Sequence, residues 1–168
     1  MFSFFKKKPK FSVRVRSYEQ PRYIAGMQTS TSKKTYRKDV TALQGSFNDK
    51  RENLQNRTNP SGTMVVFSPT QPDGTFTYFV GDLVDSTQQN DCFTILELPA
   101  GDYASIQINF KVANELSLAI AKAKKYFLLT WLPSSGYRVR EGFESCELYD
   151  RRSKIALPSM ELIFPLEK

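Results

Sequence analysis

The 168 residues, 40% hydrophobic and 24% charged, suit one globular domain with its own core and argue against disorder or a fibrous repeat. The net charge of +7 is lopsided, since residues 1–60 carry 14 basic and 4 acidic side chains and residues 61–168 carry 10 and 13. Histidine is absent and the two cysteines, Cys92 and Cys146, lie 54 positions apart, which removes imidazole-based catalysis and any zinc or CxxC cluster. Catalysis would fall to carboxylates, tyrosines or lysines, and no metal or other cofactor is expected.

Residues 1–10, with Lys6-Lys7-Lys8-Pro9-Lys10, read as a basic, flexible tail. Their charges follow the apolar residues, the reverse of a secretory signal, and no run approaches the about 18 apolar residues of a membrane span. A cytoplasmic protein without membrane insertion is expected. Residues 11–168 are read as a single domain.

Phe11 to Arg16 alternates apolar and polar residues, as a half-buried strand does, and Tyr23 to Met27 restarts the run; the two are read as one bent edge. From Lys38 to Arg57, Val40, Leu43, Phe47 and Leu54 keep helical spacing until Asn59-Pro60-Ser61-Gly62 stops it. Met64 to Phe67 and Phe76 to Val84 form a hairpin around Pro72-Asp73-Gly74.

The second half repeats the order. Strand-like segments Cys92 to Leu98 and Tyr103 to Phe110 flank the Pro99-Ala100-Gly101-Asp102 turn. A helix over Val112 to Leu129 sets Leu116, Ala119, Ile120, Ala123 and Phe127 on one side and ends at Leu132-Pro133-Ser134-Ser135-Gly136. Strands near Phe143 to Tyr149 and Met160 to Pro165 follow. The reading is an α+β fold of duplicated βαββ units, pseudo-repeats at about 11–86 and 91–168, with an antiparallel sheet, two main helices and a groove between the halves.

Four segments, Leu98-Pro99-Ala100-Gly101-Asp102-Tyr103, Trp131-Leu132-Pro133-Ser134-Ser135-Gly136-Tyr137, Glu147-Leu148-Tyr149-Asp150-Arg151 and Met160 to Leu166, resemble in order and spacing the gyrase-inhibitor-like family. That family is the effector-binding domain of AraC-type and multidrug-responsive MerR-type regulators. The resemblance implies a cleft for hydrophobic, often cationic, aromatic compounds, lined by tyrosines, a tryptophan and a buried glutamate. A carboxylate among aromatic faces attracts a delocalised cation through its charge and through the ring quadrupoles.

The family's glutamate precedes a tyrosine and an aspartate, which fits Glu147 with Tyr149 and Asp150; the alternative register puts Glu144, beside Phe143, in that place. On an alternating strand Glu147 shares a face with Tyr149, and Glu144 shares one with Cys146 and Leu148, so the two exclude each other. Tyr103, Trp131, Tyr137, Phe143, Tyr149 and Tyr78 are candidate ligand-facing aromatics, against the bland reading that large aromatics fill the core. Glu161, alone in an apolar strand, needs a partner or a role: a second cleft acid, or a side chain facing solvent.

Three functions follow. The first is a small-molecule effector or multidrug binder acting in drug sensing or transcription regulation, and the second is a hydrolase of reactive electrophiles using Glu147 with Tyr103 or Tyr149. The third is a regulatory module with a protein partner, such as a gyrase inhibitor. Regulators of this type carry a separate helix-turn-helix domain that the residues before Phe11 are too few to supply, so direct sequence-specific DNA binding is not expected.

Overall fold

A computed structural model describes residues 11–168, and the basic tail assigned to residues 1–10 lies outside the described residues. The chain runs β1 (Val13–Tyr18), β2 (Arg22–Ser32), α1 (Tyr36–Lys50), β3 (Thr63–Phe67), β4 (Thr75–Val84), β5 (Thr94–Leu98) and β6 (Gly101–Asn109). It continues through α2 (Ala113–Tyr126), the one-turn α3 (Leu132–Ser135), β7 (Arg138–Val139), β8 (Ser145–Tyr149) and β9 (Ser159–Glu167). The strands form one antiparallel sheet in the order β1-β6-β9-β8-β3-β4-β2-β5, with β7 on β9. This is an α+β fold of two βαββ halves on one antiparallel sheet.

The order reads alike from both ends, with β3 and β8 at the centre and the first strand of each half exchanged onto the outer edge of the other. β1 therefore pairs with β6, not with β2, and β5 pairs with β2, not with β6. The pairs β1/β2 and β5/β6, adjacent in sequence, are separated in the sheet, which corrects the bent edge of Phe11 to Met27; β5 and β6 do flank the turn read at residues 99–102 but do not pair with each other. Alternation says that a strand buries one face; it carries no information on its neighbour.

The exchange forces the sheet to curl. β1 and β2 stand six places apart, near 29 Å in a flat sheet at about 4.8 Å per strand. Only Glu19, Gln20 and Pro21 join them, and such a link spans at most about 14 Å. The turn from Leu98 to Gly101 ties β5 to β6 in the same way. Gly26 faces Gly81 across the β2–β4 ladder, and a Cβ on Gly26 would stand 2.0 Å from the Val80 carbonyl oxygen, so only glycine allows the strands to approach so closely there.

Both helices pack on the outer face of the curl. α1 seats Val40, Leu43 and Phe47 against Ala25, Val65, Tyr78 and Val80, and α2 with its continuation seats Ala123 and Phe127 against Ala104, Ile106, Leu162 and Phe164. The inner face holds Ile24, Met64, Val66, Phe79, Leu98, Tyr103, Phe143, Cys146 and Ile163. Each fully buried aliphatic or phenyl side chain contributes about 1.5–3 kcal/mol.

Helix ends depart from their sequence signals. α1 stops at Lys50, passes through a 3₁₀ turn at Arg51–Asn53, and Leu54 is buried from an extended backbone; Asn56 at φ 52° rules out continuation to Arg57. α2 instead passes through a π turn at Phe127–Trp131 into α3, and Pro133 is accommodated in that new first turn before Gly136 ends it at φ 76°.

Candidate functional site

α1 packs on β2 and β4 and reaches Val65 of β3 while α2 packs on β6, which leaves a seam over the central strands β3 and β8 between the helices. A cavity of about 440 Å³ opens over that seam. Thr63 and Val65 from β3, Tyr78 and Val80 from β4, and Glu147 and Tyr149 from β8 form its floor. Tyr36, Gln44, Phe47, Asn48 and Arg51 wall it from α1 and the turn after it, and Leu116, Ser117 and Ile120 wall it from α2.

Glu147 stands opposite Val65 in the β3–β8 ladder and keeps only 8% of its surface exposed. Its Oε2 accepts a hydrogen bond from the Tyr149 hydroxyl at 2.7 Å, and among the described residues no cation lies within ion-pairing distance of it. Burial raises its pKa above the usual carboxylate range, while the Tyr149 hydroxyl and the more distant Lys124 ammonium pull it down. Burial also raises the Tyr149 phenol, which the neighbouring Glu147 charge pushes further the same way.

The tyrosines form one aromatic wall. Tyr78, 2% exposed, accepts a hydrogen bond from Gln44 Nε2 at 2.8 Å and meets the Tyr36 ring edge-on at a centroid distance of 6.0 Å. Arg51, at one end of the cavity, is already spoken for: its Nε and Nη2 grip both oxygens of fully buried Asp82 at 2.7 and 2.9 Å, and Nη2 also reaches Thr63. The cavity thus presents an uncompensated acid and a neutralised base.

Of the residues singled out in the sequence, Glu147, Tyr149 and Tyr78 meet in this cavity, and the rest lie elsewhere. Glu144 precedes β8, its side chain is 53% exposed, and its nearest cation is Lys124 at 4.0 Å. Glu161 is buried on the inner face, away from the seam cavity, where it accepts hydrogen bonds from Arg152 at 3.1 Å and Arg16 at 3.4 Å, so it does not face solvent.

Tyr103 and Phe143 are also on the inner face, stacked at 6.5 Å, and the Tyr103 hydroxyl donates to the Pro99 carbonyl at 2.6 Å. That corrects the pairing of Tyr103 with Glu147, since the sheet lies between them. Trp131 stacks between Phe127 and Tyr137 over the α2 core, which takes both Trp131 and Tyr137 out of the cavity. Tyr36, Gln44 and Arg51 were missed by sequence reasoning, because on a helix the polar residues that face a cavity have the same spacing as those that face water.

The sequence model of the integron-associated effector-binding protein family, Cass2, matches residues 18–165. The chain belongs to that family. No curated protein matches the sequence. Among solved structures, the Vibrio cholerae integron cassette protein VCH_CASS2 is similar at TM-score 0.57 and 13% identity, covering 94% of this chain and 97% of that one. A putative transcription regulation protein of Staphylococcus aureus is similar at TM-score 0.66 and 10% identity over 95% and 99%. SAV2435 bound to tetraphenylphosphonium is similar at TM-score 0.70 and 12% identity over 95% and 94%.

As a Cass2-family chain the protein belongs to an effector-binding family. Among the described residues no helix is long and apolar enough to cross a membrane, and no cluster of three or more potential metal ligands occurs.

Proposed function

We propose that the cavity over the β3–β8 seam captures hydrophobic, cationic aromatic compounds as effectors, with Glu147 as the countercharge and Tyr36, Tyr78 and Tyr149 as the aromatic wall. One observation carries the reading: the carboxyl of Glu147 is buried, has a hydroxyl for its sole hydrogen-bond partner among the described residues, and faces an aromatic cavity. A buried carboxylate without a cation is costly, and a flat cationic guest removes that cost while its rings meet tyrosine faces. About 440 Å³ lies within the range of small-molecule sites. The binding of tetraphenylphosphonium by SAV2435, which has the same fold, supports the ligand class. A role in drug sensing or transcription regulation then belongs to a partner, domain or chain that reads the occupied state.

Calorimetric titration with tetraphenylphosphonium tests the proposal. Binding is expected for the full chain and strong loss for Glu147→Gln; equal affinity in both, or heat with neither, refutes it.

The Glu147–Tyr149 hydrogen bond favours a second reading, hydrolysis of a reactive electrophile, with Glu147 as base and Tyr149 as proton donor. Tyr103 has no part in it. Turnover of an electrophile panel that vanishes in both Glu147→Gln and Tyr149→Phe would support this chemistry, and turnover unchanged in either would exclude it.

A further inference from the structure

The inner face of the curl carries the opposite charge. Arg22 and Arg140 both approach the ring of Tyr103, with guanidinium carbons 5.2 and 4.9 Å from its centroid, and Arg22 lies over Tyr18 at 3.5 Å. Neither has a carboxylate within 4.0 Å among the described residues. The contrast with other half-buried arginines is sharp. Arg51 gives its Nε and Nη2 edge to Asp82, and Arg152 gives the same edge to Asp150. That edge of Arg22 is buried without any acceptor, and so is Nη2 of Arg140.

The placement of Arg140 is built into the fold. Its Nη1 donates to the Ala100 carbonyl at 2.8 Å, and it lies so close over Gly101 that a Cβ there would stand 2.4 Å from that nitrogen. Beside Arg140, at the mouth of the curl, a separate cavity of about 310 Å³ is lined by Val66, Phe79, Leu96, Pro99 and Phe143. A guanidinium without an ion-pair partner lining a largely apolar cavity, with a second such guanidinium against the same Tyr103 ring, makes a receptor for an oxyanion on a greasy body. Exposed Glu97 and Glu141 also line this cavity, and they disfavour negative charge on the guest anywhere but at Arg140.

We propose that this cavity is a second ligand site, distinct from the seam over β3 and β8, which takes aromatic or aliphatic monocarboxylates with the carboxylate directed to Arg140 and supported by Arg22 behind it. The two sites lie on opposite faces of one sheet and select opposite charges. The inference stands independently of the cationic ligand assigned to the seam.

Titration of the full chain with 1-naphthoate, 1-naphthalenemethanol and tetraphenylphosphonium tests it. Naphthoate is expected to bind, and the neutral alcohol to bind about tenfold or more weakly. Arg140→Gln and Arg22→Gln are each expected to weaken naphthoate by about tenfold or more while leaving tetraphenylphosphonium unchanged, and Arg140→Lys, which keeps the charge, to lose less. The retained phosphonium affinity, or an unchanged circular dichroism spectrum where the phosphonium does not bind, shows that the variants are folded. Absent naphthoate binding, affinity unaffected by Arg140→Gln, or displacement of naphthoate by the phosphonium overturns the second site. Failure of the phosphonium alone overturns the seam reading and leaves this one standing.

Discussion

Replacing Glu147 by Gln keeps the shape of the side chain and removes its charge, so the change in affinity measures the electrostatic part of cation capture. A cation about 5 Å from the carboxylate, at an effective dielectric near 20, gains ~3 kcal/mol, which is about two orders of magnitude in Kd. The pH dependence is the sharper readout. Burial holds the Glu147 pKa above its ordinary value of 4.5, so at low pH the free protein carries a proton there that a cationic guest must expel. Affinity should therefore rise about tenfold per pH unit until pH passes the raised pKa, then level off. Stability should move the other way: a raised pKa means that the proton stabilises the fold, so stability is full below 4.5 and declines as pH climbs through the raised value. Glu147→Gln should flatten both profiles and melt higher than the parent at alkaline pH. Calorimetry with tetraphenylphosphonium and denaturant unfolding, each from pH 5 to 9, supply the curves. A loss of less than about threefold at pH 9, or a Gln variant that keeps the parent's pH slope, refutes the reasoning.

Tyr149→Phe removes the hydroxyl that helps to hold the Glu147 carboxylate ionised, so the midpoint of the affinity profile should move to higher pH with the plateau nearly kept; a midpoint moving down would contradict it. Asp82→Ala strands the Arg51 guanidinium, whose side chain is 29% exposed, and should cost about 3 kcal/mol by denaturant unfolding. Gly81→Ala sets a Cβ 2.5 Å from the Ala25 carbonyl oxygen and should cost about 3 kcal/mol, whereas Gly45→Ala, with nothing within 4 Å in the middle of α1, should stabilise by about 0.5–1 kcal/mol. Equal effects of the two glycine changes would show that close approach is not what the sheet demands at Gly81.

Local pattern carried most of the elements. The spacing of Val40, Leu43 and Phe47 reports the face that α1 buries, and the Asp73-Gly74 turn marks the β3–β4 hairpin, where Asp73 accepts from the Thr75 backbone and Gly74 sits at φ 84°. What pattern could not carry was partner choice, because β1 and β5 have the same alternation whether they pair with their own half or with the other. Strand parity puts Glu147 with Tyr149 and away from Cys146 and Leu148, and the structure keeps that division of faces. The same parity argument was available for Tyr103, but which face of β6 looks toward which face of β8 is set by the pairing through β9, a tertiary fact. Glu161 stayed open between a second cleft acid and a solvent-facing side chain for want of its partners, since Arg16 lies 145 positions away and only the exchange of β1 brings it near.

Duplication explains why a cavity exists at the seam at all. Each helix is long enough to cover the strands of its own half, and the two halves meet edge to edge through β3 and β8, so the strip of sheet between the helices has no cover of its own. A side chain pointing up from that strip faces neither core nor bulk water, and a carboxyl there is desolvated enough for its pKa to rise yet open enough for a guest to reach it. The curl that results from strand exchange makes the opposite concavity on the other face, packed against Tyr103 and Phe143, with Arg140 at its edge. If the curl is the common cause, a change that opens it, such as Gly81→Ala, should weaken ligand capture at both faces together, whereas Glu147→Gln and Arg140→Gln should each silence one face alone.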